Sequence, residues 1–314
     1  MILRKNSVVS VCLLLILLSQ SAELCRAQSS FSIKFEPDRL PWHRLSFKTD
    51  NLFGKVATEI RLAALPDTKA AGLLIAVPQA DALQPSGATV ISIAVDSNID
   101  PLIAPKEILN TQSLCNPDHG AALQRVTLRQ GGKIWQKSYR FLPNGVYHQR
   151  KKPAGKKQLE VPPEHWKTFE KRWYQYAGRH PECPAVLDPG ELLYLASVID
   201  FTEQKDPLSV CVFNKKQLHR VTVTAGGASR LKVNYLEGLP DKQIRREGSI
   251  DVIKISFQPR VLDPEDKEFE EFSFLGLQGD FDIYVAGATG IPVQINGQIP
   301  GIGKLNFRLD EVEF

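Results

Sequence analysis

Beyond its N-terminus the sequence has no apolar run approaching about 18 residues, which excludes a further helical membrane span. It lacks the HExxH pattern of zinc peptidases and the Gly-x-Ser-x-Gly elbow of α/β-hydrolases. Gly301-Ile-Gly303-Lys304 is not a phosphate loop, because the four-residue spacer and the following Ser/Thr are missing. No nucleic-acid-binding motif accompanies the basic residues, so no nucleic-acid partner is expected. No internal repeat is visible. Cysteine is scarce, at 5 in 314 residues. The apolar fraction of 43% is that of a globular chain, which excludes wholesale disorder.

What is present begins with a leader. Arg4 and Lys5 precede the apolar run Val8–Leu18, and a polar stretch ends in Cys25-Arg26-Ala27. That is the layout of a secretory signal peptide cut after Ala27. The run is too short to remain as a helix across about 30 Å of hydrocarbon. Bulky Leu24 before Cys25 argues against lipid attachment there. The expected product is Gln28–Phe314, periplasmic or secreted, a single β-rich domain with no permanent membrane span.

Removing the leader takes Cys12 and Cys25 with it and leaves Cys115, Cys183 and Cys211. Cys115 and Cys183 lie in loop-like runs and are the natural disulfide pair of an oxidising compartment, with Cys211 buried in an apolar strand. Two alternatives stay open: unpaired thiols, or a metal set of Cys115, His119, His180 and Cys183. No metal or cofactor is expected overall.

Alternation of apolar and polar residues marks strands. His43–Thr49 and Gly54–Ala63 form an expected hairpin. Thr89–Val95, Leu123–Leu128, Lys133–Phe141 and a strand restarting at Val146 follow. Pro163 is expected to open a helix ending at Gly178, with Trp166, Phe169, Trp173 and Tyr176 on one face. Glu191–Phe201 reads as a second, buried helix. Pro207–Phe213, then Leu218–Ala225 and Ser229–Leu236 turning at Gly226-Gly227, lead to Ile250–Phe257, Asp280–Val285, Pro292–Asn296 and Gly303–Leu309. The expected fold class is mainly β: a curved antiparallel sheet or open β-barrel with two accessory helices.

The net charge of +4 is unevenly placed. Nine basic and four acidic residues fall between Arg150 and Glu182. The segment 149–184 therefore reads as a basic and aromatic helical insertion. Its candidate binding residues are Arg150, Lys151, Lys152, Lys156, Lys157, Trp166 and Trp173, facing an anionic envelope lipid or polysaccharide, or an envelope protein. No catalytic residue is assigned. A periplasmic hydrolase acting on a glycan or ester is the alternative, for which Asp280, Asp282 or His219 would have to line a cleft.

Gly279–Val285, the Pro292-Val293 strand and Gly301–Leu309 together resemble the C-terminal strands of an exported bacterial family, the domain of unknown function numbered 3108. Leu187–Leu195 resembles its Asp-Pro lead into a central helix, and Lys137–Val146 its middle strand pair. The resemblance implies a secreted or periplasmic β-rich protein. It supplies no established activity and no catalytic residues.

Overall fold

Alternation sets the first hairpin. Thr58, Ile60 and Leu62 of β2 (Gly54–Pro66) are buried, whereas Arg61 between the last two and Ala63 after them are exposed. β1 (Arg44–Asn51) pairs with it from Arg44↔Arg61 to Asn51↔Gly54. The computed structural model describes residues 35–36, 38, 40–51, 54–78, 80–103, 105–176, 180–199, 206–239, 242–263, 270–299 and 303–314. These lie in one unit running from Phe31 to Phe314. The leader with its cut after Ala27, Gly178, Arg179, most of the acidic run from Asp263 to Glu271, and Gly301 lie outside the described residues.

After β2 come α1 (Asp67–Leu73), β3 (Thr89–Pro101), β4 (Glu107–Cys115), β5 (Ala122–Gln130), β6 (Trp135–Leu142), β7 (Gly145–Lys152) and β8 (Lys167–Gln175). β9 (Val186–Leu187) leads into α2 (Glu191–Val198). Then follow β10 (Leu208–Asn214), β11 (Gln217–Leu239), β12 (Lys242–Val261), β13 (Ser273–Phe274), β14 (Leu277–Ala286), β15 (Pro292–Ile299) and β16 (Gly303–Glu313). All sixteen described strands belong to one sheet, ordered β8-β7-β6-β5-β4-β3-β2-β1-β16-β15-β14-β12-β11-β10-β9, with β13 on β14. Pairing is antiparallel apart from β9–β10 and β11–β16. The second exception turns the sheet back on itself. Leu236–Gly238 of β11 runs beside Glu311–Glu313 of β16 and closes a ring through β15, β14 and β12. The approach is close at Gly238, where a Cβ would meet the Glu313 side chain at 3.0 Å and push it aside.

The fold class is the expected one: mainly β, one large curved antiparallel sheet, and among the described residues two α-helices. α2 is the foreseen buried helix. Glu191 to Ala196 are all buried, and the helix packs on β14 and β15. Tyr194 stacks on Phe35 with ring centres 4.1 Å apart, and Trp42 Nε1 donates to Ser197 Oγ at 3.0 Å. α1 covers the other face of the sheet with Ala70, over Val90, Leu114 and Leu123.

Several expectations are corrected. The aromatic helix at 163–178, and with it the helical insertion at 149–184, is instead a short 3₁₀ turn at Pro163–His165 followed by β8. Thr168, Phe169, Trp173 and Tyr174 suit a pleated surface, and β7 offers an edge to pair with. Gly226-Gly227 is no turn: β11 runs through it, and the register shifts between Ala225 and Ala228 as a bulge. Cys115 is not in a loop but ends β4, fully buried and unpaired, and the disulfide joins Cys183 to Cys211. The metal set fails with it, because Cys183 is consumed in the bond. Among the described residues no three His, Cys, Asp or Glu are placed to hold a metal. No described helix is long and apolar enough to cross a membrane.

The Cys183–Cys211 bond closes a loop with a sequence separation of 28. In the chain-entropy view this contributes about 3–4 kcal/mol. Denaturing thiol titration of the chain from Gln28 on should therefore find one thiol, that of Cys115, whereas three would contradict the pairing. Cys183→Ser is expected to lower the unfolding free energy by about 3 kcal/mol in a denaturant titration.

Candidate functional site

Strand register carries residues of one sheet face into rows. Val95, Thr111, Thr127, Lys137, Arg150 and Glu170 lie side by side across β3 to β8. The next row is Ile93, Ser113, Arg125, Tyr139, His148 and Arg172. Ser97, Leu109, Arg129 and Trp135 form a third. Across from this face stand Asp188–Gly190 before α2, the β10–β11 turn with Asn214 and Lys215, and the β13–β14 turn with Phe274 and Leu275. Between them runs an open groove of about 270 Å³. Lys215 (φ 54°) and Leu275 (φ 51°) both line it, and they are the non-glycine residues with left-handed backbone among those described. Such conformations cost about 1–3 kcal/mol and concentrate at functional positions.

One end of the groove is fixed by a buried polar node. Asp188 accepts hydrogen bonds from Arg125 Nη1 (2.8 Å), Ser113 Oγ (2.8 Å) and Gly190 N (3.0 Å). Glu191 Oε1 in turn accepts from Asp188 N at 3.0 Å. The bonds from Gly190 N and Asp188 N close the Asp188–Glu191 turn that leads into α2, whose N-cap is Gly190. Glu191 is fully buried and its second oxygen has no partner, so burial pushes its carboxyl well above the usual range and favours the neutral acid. Burial first, then Glu191 and Asp188, likewise push the Cys115 thiol up.

The other end is cationic and aromatic. Lys137 Nζ lies 4.8 Å from the Trp135 ring centre, and the Arg150 guanidinium lies 5.8 Å from it. Lys152 Nζ sits 3.7 Å from the centre of Phe169, which is 60% exposed. The register shift between Arg150 and Lys151 is what brings Phe169 beside Glu170 near this face. Among the described residues Lys137, Arg150 and Lys152 make no ion pair. Burial first, then Arg150, lowers the Lys137 pKa. Deeper in, Arg125 lies over Tyr139 at 4.4 Å, but Asp188 already holds it.

The sequence-predicted residues separate. Arg150 reaches the edge of the groove over Trp135, and Lys152 lies beyond that edge over Phe169. Lys151 points to the opposite face and donates to Glu164 O at 2.8 Å. Lys157 is exposed in a 3₁₀ turn, and the side chain of Lys156 lies outside the described residues. Trp166 is buried, donating to Gln158 O (2.8 Å) and Val161 O (3.1 Å), and so offers no surface for a ligand. Trp173 is 48% exposed on the far face of β8, against Tyr147 at 4.9 Å. Trp135, Lys137 and Phe169 take the place of these two tryptophans. The available signal was alternation: Trp135-x-Lys137-x-Tyr139 and Arg150-x-Lys152 each put their residues on one strand face.

The carboxylates weighed for hydrolysis are engaged elsewhere. Asp280 pairs with Arg260 at 2.6 Å, and Asp282 with Lys254 at 3.0 Å and Ser256 Oγ at 2.6 Å. His219 is buried edge-on to Phe272, and its Nδ1 lies 3.2 Å from Gln217 O.

No protein-family model matches the chain, and no curated protein matches it. Among solved structures it is similar to a β-barrel-like protein of domain of unknown function DUF1849 from Brucella abortus. The TM-score is 0.44 at 10% identity, over 90% of this chain and 98% of that one.

His148 gives the site a pH signature. It is 4% exposed, lies 4.7 Å from Tyr139, and neither ring nitrogen has a hydrogen-bond partner among the described residues. Burial first, then Lys137, lowers its pKa to about 4. The folded state therefore holds the imidazole neutral. The stability tied to that is present above the unfolded value near 6.5 and is lost as pH falls towards 4, at about 3 kcal/mol in full. Urea unfolding at pH 7 and pH 4.5 should show His148→Phe losing less stability than the parent over this interval. An equal loss would contradict the assignment.

Proposed function

We propose that the chain is an exported, non-enzymatic envelope protein whose groove binds an anionic amphiphile. The observation that carries this reading is the set Lys137, Arg150 and Lys152, gathered against Trp135 and Phe169 with no ion pair among the described residues; the acid beside Arg150, Glu170, is itself paired with Arg172. Cations held over aromatic faces attract an anionic headgroup strongly, because the stems and rings exclude water around the charge. Beyond them the groove offers Val95, Leu109, Phe274 and Leu275 to an apolar tail. The leader-like layout of the N-terminal residues supports a periplasmic or secreted location, where envelope lipids supply such molecules.

Isothermal titration of the chain from Gln28 on with monomeric dodecyl phosphate tests the reading. Dodecyl phosphate should bind, dodecyltrimethylammonium should not, and the affinity should fall with added salt. Exchanging Lys137→Glu together with Arg150→Glu should weaken binding by about tenfold or more, some 1.4 kcal/mol. Equal binding of both amphiphiles, or no effect of the double exchange, would refute it.

A further inference from the structure

The segment joining β3 to β4 carries two exposed apolar residues at its tip. Leu102 is 73% exposed and Ile103 100% exposed. They are held on a firm base. A Cβ on Gly54 would lie 2.4 Å from Asp100 O, and one on Gly131 would lie 2.3 Å from Lys106 O. Glycines at these two hairpin ends thus let β2 and the β5–β6 turn press directly against both sides of the segment. Pro101 and Pro105 flank Leu102 and Ile103 in the sequence, and a Cβ on Gly132 would lie 3.8 Å from Pro105 Cγ. At this tip the two apolar side chains stand out from a base that is closely packed on both sides.

Cations surround it. Lys55 and Lys106 are exposed at its base, and Lys133 is exposed in the neighbouring turn. Below them opens a cleft of about 780 Å³ lined by Lys48, Lys55, Lys106, Lys304 and Arg308, with Asp100 and Asp310 as its acids. Lys48 is paired with Asp310 at 2.6 Å.

We infer that this end of the sheet docks onto an anionic lipid bilayer, with Leu102 and Ile103 entering the interfacial region and the lysine collar meeting headgroups. The shape selects the partner. A stable protein interface covers about 800 Å² on each side, whereas two adjacent side chains on a convex point give far less. A bilayer accepts a convex tip, gains from each buried apolar side chain, and adds attraction for each nearby lysine. The inference stands apart from the groove, although Trp135 begins β6 directly after the β5–β6 turn, so the groove's cationic end lies towards the same end of the sheet.

Vesicle co-sedimentation of the chain from Gln28 on decides it, with vesicles of phosphatidylcholine alone or mixed with phosphatidylglycerol. Binding is expected only to the mixed vesicles, falling at high salt. Leu102→Ser with Ile103→Ser should weaken it by about tenfold or more, and Lys106→Glu by several-fold, both with unchanged thermal unfolding because these residues are exposed. The Lys137→Glu and Arg150→Glu protein should still sediment, which separates this surface from the groove. Failure to sediment with the mixed vesicles overturns the inference, as does sedimentation that ignores the tip exchanges.

Discussion

Asp188 ties α2 to the sheet, and the groove depends on that tie. Its carboxylate is almost wholly out of water and is satisfied by Arg125 on β5, Ser113 on β4 and the backbone at Gly190. Removing one partner of such a pair leaves a buried charge, at a cost of about 3–5 kcal/mol. A carboxylate held by these three partners fixes the Asp188–Gly190 turn, and with it the approach to α2. α2 is then seated among Phe35, Trp42 and the strands that close back through β11 and β16.

The same node separates two kinds of cation on one sheet face. Arg125 lies deepest and is neutralised by Asp188, so it serves the fold. Lys137, Arg150 and Lys152 lie further along β6 and β7, beyond the reach of that carboxylate, and rest on aromatic rings instead. Burial first, and then the neighbouring Arg150, lower the Lys137 pKa, while Glu270 and Glu170 oppose them, so holding this cationic cluster half out of water opposes folding. A fold that tolerates this, together with left-handed backbone at Lys215 and Leu275 in the facing wall, has kept features that packing alone would remove. On the proposed reading, a bound anion offsets that excess positive charge.

Much of the fold was legible because many strands show one face to water. The β1–β2 hairpin and the strands from Ile250 onward kept their alternation, and α2 was marked by its Asp-Pro-Gly lead and its apolar run. β4 was not legible. Thr111 and Ser113 point into the groove and towards Asp188, so polar residues fall where an inward apolar pattern would be expected, and Cys115 at its end precedes the turn-like run Asn116–Gly120. A loop-like Cys115 suggests a bond to Cys183, whereas the strand buries it away from the Cys183–Cys211 pair. In β8 the aromatic spacing of three, four and three fits one helical face, yet the edge of β7 decided for a strand. The binding cluster needs register to be seen, because Trp135 and Lys137 meet Arg150 only once β6 and β7 are paired and Phe169 only through a bulge. The far wall of Phe274 and Leu275 gave no sequence signal.

Amide hydrogen exchange, with and without monomeric dodecyl phosphate, tests the central claim most directly. The account requires slowing concentrated in Leu109–Thr111 of β4, Trp135–Tyr139 of β6, Arg150–Lys152 of β7 and the Phe274–Leu275 turn. Exchange that is unchanged there, or slowed only on the β14–β15 face around Asp280 and Asp282, would contradict it.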